Sequence, residues 1–141
     1  MKKILPILTA IIILLGTSSC RKLPLHGDFS GMWQILTLEY PDGTVEESNH
    51  DYYYCFNRHV VMLRQNGNGY LNGNLTYNET DFTLQFPKAS TRYLNHWGIT
   101  LPEGTEDYTG EVVISYTIDK LTSKQLIVTT ERGVTITMRK Y

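Results

Sequence analysis

Alanine is almost missing from this sequence of 141 residues: past the first twenty positions only Ala89 occurs. No segment longer than about ten residues carries helical periodicity, which excludes a helical bundle. Cysteine is nearly absent too, with only Cys20 and Cys55, so no disulfide framework holds the fold. Charge is sparse and balanced, 13 basic against 14 acidic residues for a net of -1, and that excludes the basic footprint of a nucleic-acid partner. There is no Gly-x-Ser-x-Gly elbow, no phosphate-binding glycine loop and no dinucleotide fingerprint. What is abundant is strand-forming residues. Val, Ile, Thr, Tyr, Phe and Trp make up 44 of the 122 residues from Cys20 to Tyr141, a composition that favours strands and supports one compact core.

The N-terminus carries its own pattern. Met1, Lys2 and Lys3 are followed by an apolar run from Ile4 to Leu15, then by Gly16-Thr17-Ser18-Ser19 and Cys20. This order reads as an export signal over residues 1–19. The apolar run spans roughly 18 Å as a helix, against a hydrocarbon core of roughly 30 Å, which disfavours a permanent membrane span. A Cys directly after small residues resembles the bacterial lipoprotein signal, and the resemblance implies that Cys20 is acylated and begins the mature chain. More than one acyl chain, at roughly 0.8 kcal/mol per buried methylene, makes such attachment stable. Residues 20–28 then form a tether, and the membrane is a partner through lipidated Cys20. No acidic residue closely follows Cys20, which favours the periplasmic face of the outer membrane in a bacterial cell envelope. Cleavage removes Lys2 and Lys3 and leaves 11 basic against 14 acidic residues. Cys55, without a partner, reads as a buried structural thiol.

From Phe29 onward, short β-rich runs alternate with turns. A first strand over Met32–Tyr40 ends at Pro41-Asp42-Gly43; a polar loop over 45–51 precedes an aromatic and apolar run from Tyr52 to Leu63. Asn66-Gly67-Asn68-Gly69 is a hairpin turn, after which Leu71, Gly73, Leu75 and Tyr77 share a face. Phe82, Leu84 and Phe86 alternate with polar residues until Pro87, which is expected to end that strand. Val112, Ile114, Tyr116 and Ile118 face one way, a strand over Leu126–Thr130 follows, and Val134, Ile136 and Met138 alternate to the end. Seven or eight antiparallel strands result, and a sheet that long either closes into a barrel or folds into two layers. The 24 residues from Lys88 to Glu111 lack strand alternation. Within them Thr91 is placed to cap a helical turn carrying Tyr93, Leu94 and Trp97, with Gly98 as its stop. The stretch is either a lid or a plug over one barrel mouth.

Catalytic chemistry has little to stand on. His26, His50, His59 and His96 are not spaced as a zinc site, and neither a metal nor a cofactor is expected. Ser48-Asn49-His50-Asp51 holds the residue types of a hydrolytic triad, but neighbours in one loop cannot adopt its geometry. The chain is therefore not read as an enzyme.

Gly31-Met32-Trp33 on the first strand, with Arg139-Lys140 closing the last, resembles the lipocalin signature. Met32-Trp33-Gln34 through Tyr40-Pro41-Asp42-Gly43-Thr44, Asn57-Arg58-His59-Val60-Val61, and Ile118 through Leu126 are similar to small bacterial lipocalin-like lipoproteins of gut commensals. The resemblance spans nearly the whole mature chain. It implies an all-β, antiparallel up-and-down lipocalin-like (calycin-type) barrel over residues 29–141. It also implies a structural anchor made of Gly31, Trp33 and Arg139, or Lys140 failing that, and a capacity for small apolar ligands. The residues expected to line a ligand site are Trp33, Tyr54, Phe56, Phe82, Phe86, Trp97 and Tyr116. The leading function is non-catalytic binding of a small, partly apolar molecule at the cell envelope. The alternative is a filled barrel whose outer face, or whose 88–111 stretch, contacts an envelope protein or polysaccharide. A packed interior with an exposed aromatic patch favours the alternative.

Overall fold

The computed structural model describes residues 25–102 and 109–141. The expected signal peptide, Cys20 and most of the tether lie outside the described residues, as do positions 103–108 of the long connection.

Among the described residues, nine strands follow a Gly27–Phe29 turn of 3-10 helix: β1 Gly31–Glu39, β2 Val45–Glu47, β3 Tyr52–Asn57, β4 Val60–Gln65, β5 Asn68–Tyr77, β6 Asp81–Ser90, β7 Thr109–Leu121, β8 Gln125–Thr130 and β9 Thr135–Lys140. Consecutive strands from β3 to β9 pair antiparallel, β1 pairs with β3, and β1 also pairs with β9. The sheet therefore closes on itself as an eight-stranded barrel, with β2 as an extra strand on the edge of β1. The expected barrel is present, and the supposed loop over 45–51 holds one more short strand than the sequence pattern revealed.

The turns follow local chemistry. Asn66 and Gly67 both adopt positive φ, 49° and 78°, as the tightest hairpin turn requires. The Tyr52–Leu63 run is in fact two strands, joined by a two-residue reversal in which Arg58 takes a φ of 54°. Pro87 does not end β6. It falls in a register shift between Phe86 and Ala89, where no ladder N–H is needed, and the strand runs on to Ser90.

Bulges also decide which residues face inward. A register shift between Ile35 and Thr37 makes Leu36 the extra residue of β1, so Trp33 and Ile35 and then Leu38 all point into the core. The interior holds the side chains of Phe82, Leu84, Phe86, Val112, Ile114, Tyr116, Val134, Ile136 and Met138, as their period of two predicts. Gly73 faces them. A Cβ there would come within 2.6 Å of both the Gln85 carbonyl and the Phe86 ring, so glycine is what lets β5 and β6 close over that ring.

Candidate functional site

The barrel has two differently built ends, and each is closed over a tryptophan. At the first, Trp33 is fully buried and its indole Nε1 donates to the Phe29 carbonyl at 2.9 Å. Phe29 stacks on Phe56 at 4.3 Å and on Tyr77 at 4.4 Å, so the 3-10 turn before β1 stoppers the barrel with its own ring. His26, at the end of the expected tether, lies against this stopper, 4.7 Å from the Tyr77 ring, and its Nε2 is 2.6 Å from the Arg58 carbonyl oxygen.

Over the Trp33 ring sits Lys140, its Nζ 4.4 Å from the ring centroid, donating to the carbonyls of Asp28, at 2.7 Å, and Ser30. Partial burial pushes the ammonium below its ordinary value, and Asp28 opposes that shift. Arg139 does not have the expected place. It is exposed on the outer face, where its Nε donates to Gln34 Oε1 at 2.6 Å, while Gln34 Nε2 donates to the His50 carbonyl and to the Tyr53 hydroxyl. The physical reason is the pleat. Trp33 pairs with Lys140 and Gln34 with Arg139, and cross-strand partners share a face. Gly31, at a φ of 125°, serves the cation rather than the indole: a Cβ would meet the Lys140 Cε and Nζ at 3.0 Å.

Between the ends the barrel is filled. Trp33, Tyr54, Phe56, Phe82, Phe86, Trp97 and Tyr116, the residues expected to line a ligand site, are all at most 2% exposed. Their rings pack on each other: Phe82 stacks on Tyr116 at 4.5 Å, and Tyr54 meets Phe56 at 5.7 Å. Besides the two indole N–H groups, two hydroxyls lie among these rings. The Tyr54 hydroxyl donates to the Trp97 carbonyl at 2.5 Å, which commits its proton, so the Tyr116 hydroxyl at 3.1 Å donates to Tyr54. Burial raises both hydroxyls above the ordinary 10.0; the neighbouring tyrosine raises Tyr54 further, while at Tyr116 the hydrogen bond with Tyr54 opposes the rise and Glu131 adds to it.

At the second end, a seven-residue 3-10 helix, Thr91–Trp97, lies across the mouth. Its N-cap is Ser90 and not Thr91, which is buried as the first helical residue; Gly98 stops it at a φ of 73°, as expected. Leu94 and Trp97 point into the core, and Trp97 Nε1 donates to the Tyr53 carbonyl at 3.1 Å. The helix is thus a plug in this structure. Outside it lies a set of rings that sequence reasoning missed. Tyr70, 37% exposed, stacks on Trp97 at 4.9 Å; His96 lies parallel to Tyr52 at 4.7 Å; and Tyr93, 49% exposed, lies 6.4 Å from His96. The available signal was spacing: positions 93 and 96 eclipse in a 3-10 helix, and Tyr70 is the bulged residue of β5. On the side of the helix that carries positions 92 and 95, a recess of about 390 Å³ is lined by Thr91, Arg92, Asn95, Ile99, Thr100, Leu101 and Pro102.

Other sequence candidates are brought to no shared site. Ser48 Oγ and Asn49 Oδ1 accept hydrogen bonds from the backbone N–H groups of His50 and Asp51, so this loop uses its polar side chains to make turns. Cys55 is half-buried on the outer face, where it pairs with Met32 and Met62; burial raises its thiol and Arg64 partly opposes that. Among the described residues, no three His, Cys, Asp or Glu side chains are gathered to hold a metal, and no helix is long and apolar enough to cross a membrane.

Comparison with known proteins agrees with the barrel. A lipocalin-like protein from Bacteroides uniformis superposes with a TM-score of 0.61 at 21% identity, covering 82% of this chain and 100% of its own. An uncharacterized protein from Bacteroides eggerthii gives 0.58 at 22% identity, covering 80% and 99%. At such identities the likeness is one of fold. No curated protein matches the chain. The sequence model of the lipocalin-like domain, however, matches residues 13–141, and the chain belongs to that family.

Proposed function

We propose that this chain is a non-catalytic binding protein of the bacterial cell envelope, held to the outer membrane by a lipid on Cys20, that engages its ligand on the outside of its barrel at the Trp97 end. The lipocalin-like barrel is consistent with binding a small ligand. What moves the reading from inside to outside is the filled interior: the aromatic side chains that would line a cavity are packed against one another and closed off by Trp33 and Trp97. Ligand pockets bury most of a drug-sized molecule in a concave space of about 300–1,000 Å³, and these packed rings leave no such room between them.

Titration with an apolar fluorescent probe such as 1-anilinonaphthalene-8-sulfonate tests this. The expected outcome is no saturable one-to-one site in the wild type and a new site in Trp97→Ala, where a cavity opens. Saturable wild-type binding that quenches the buried tryptophans would return the ligand to the interior. Anchoring is tested separately: Cys20→Ala should move the protein from the membrane to the soluble fraction, and mass spectrometry of the wild type should find lipid on Cys20. A mature N-terminus elsewhere, or one without lipid, would remove the anchor.

A second reading places a small, partly apolar ligand in the barrel after the plug helix moves. It is favoured by the Tyr54 and Tyr116 hydroxyls, which sit beneath the plug and would remain there as polar contacts for an entering molecule.

A further inference from the structure

The rings outside the plug helix have a specific chemistry. Tyr70 presents one face outward while its other face is committed to buried Trp97, at 4.9 Å and 22° between planes. Tyr93, His96 and Tyr52 form a near-parallel series, with 14° between the first two planes and 4° between the last two. These rings are held by packing before any ligand arrives, which lowers the entropy that binding must overcome. Beside them, the recess along the plug helix mixes the donors Arg92 and Asn95 with apolar Ile99, Leu101 and Pro102. The Arg92 guanidinium lies 5.9 Å from the Tyr93 ring centroid, and Arg92 and Asn95, eclipsed at i and i+3, border the adjoining recess.

We propose that Tyr70 and Tyr93 form a platform for the sugar rings of a neutral glycan, with Arg92 and Asn95 hydrogen-bonding its hydroxyls. The inference rests on the surface reading above and names its ligand class. A pyranose ring offers an apolar face of C–H groups and a rim of hydroxyls, which match a tyrosine face bordered by amide and guanidinium donors. Other occupants fit less well. Two partly exposed rings supply far less than the roughly 800 Å² per partner that a stable protein interface buries. A lipid surface calls for exposed aliphatic side chains, and none of the large exposed aliphatics Leu25, Val45, Val60 and Val113 lines the recess along the plug helix. An anionic ligand calls for clustered cations, and Arg92 is the only lysine or arginine on the plug helix.

The test uses the soluble chain from residue 21 onward beside the full lipidated protein in detergent. Both are applied to an array of neutral glycans, then titrated calorimetrically with cellohexaose, chitohexaose and mannohexaose. Binding by the wild type is expected for at least one class. Tyr70→Ala and Tyr93→Ala should each weaken it about tenfold, the effect of losing an aromatic anchor from a binding site. Tyr93→Phe should keep binding within about threefold, since the ring face rather than the hydroxyl does the stacking. Val60→Ala, beside the Arg58-His59 reversal at the other end of the barrel, should bind as the wild type does. Tyr93 is half exposed, so its variant remains folded and interpretable even if Tyr70→Ala lowers the melting midpoint. No binding on the array, or unchanged binding by Tyr93→Ala, overturns the glycan assignment. If both substitutions instead abolish binding to lipid vesicles or to a protein, the glycan is wrong and the surface reading stands. A ligand lost only on changing Tyr54 or Tyr116 would overturn both.

Discussion

The two ends of the barrel use the same device and differ in how it is held. Each buries an indole whose N–H is satisfied by a backbone carbonyl: Trp33 by Phe29, four residues away, and Trp97 by Tyr53, 44 residues away. The first is a local knot tied into the closing strand pair, since Trp33 is a cross-strand partner of Lys140 and the Lys140 ammonium grips the turn that carries Phe29. The second belongs to a short helix with no side-chain hydrogen bond at its N-cap, joined to the barrel by ring packing, by buried Leu94 and by hydrogen bonds that include those from Tyr54 and Trp97. Such an element can leave without unpairing a strand. The comparison teaches that the Trp33 end carries global stability and that the Trp97 end is where local opening costs least.

Substituting the two tryptophans should break the comparison most plainly. Trp33→Ala should lower global stability by about 3–5 kcal/mol, the usual cost of deleting a buried aromatic. Trp97→Ala should cost less in urea melts while speeding amide exchange across residues 91–99. Equal losses with uniform exchange would show that the ends are equivalent.

The next effect is alkaline. Tyr54 and Tyr116 hold their protons above the ordinary value of 10.0 in the folded chain. Folded values that are raised mean stability is fully present below a pH of about 10 and is lost as pH rises through and beyond it, by about 1.4 kcal/mol per pH unit for each tyrosine that ionises only on unfolding. Tyr116→Phe should flatten that decline. Wild-type and variant curves that run parallel would mean Tyr116 ionises without unfolding.

Tyr54→Phe removes the donor that satisfies the buried Trp97 carbonyl, so a loss of about 1–3 kcal/mol is expected. Hydrogen exchange should locate it at the plug helix, and faster exchange at β1 and β9 instead would contradict the division between the ends.

The smallest effect distinguishes the two C-terminal cations. A double-mutant cycle of Trp33→Leu with Lys140→Met should give a coupling of about 0.5–2 kcal/mol, the range of a cation over an aromatic face. The same cycle with Arg139→Ala should give additive losses, because Arg139 bonds Gln34 on the opposite face.

Closure of β1 on β9 was legible, because Gly31-x-Trp33 and the closing basic pair resembled a known barrel and the strands between them alternated cleanly. The choice between Arg139 and Lys140 was legible too, and was misread. The period of two that turns Val134, Ile136 and Met138 inward also turns position 140 inward and 139 outward. The reversal at Arg58-His59 was hidden for a different reason: it contains neither Gly nor Asn, and a non-glycine residue at a φ of 54° is tolerated only because the strands on both sides are already paired.

Alternation and turn chemistry are local properties, so the amino-acid sequence by itself determined most of the strands and hairpins, their inward faces and Trp33 as buried. Whether those inward rings line a cavity or fill it depends on how eight strands close and on how far the bulges at Leu36, Tyr70, Pro87 and Asp119 tilt them, which no residue carries alone. The gathering of Tyr52, Tyr70, Tyr93 and His96 at one mouth is of the same kind. Those residues come from β3, β5 and the plug helix, and only the closed barrel brings them together.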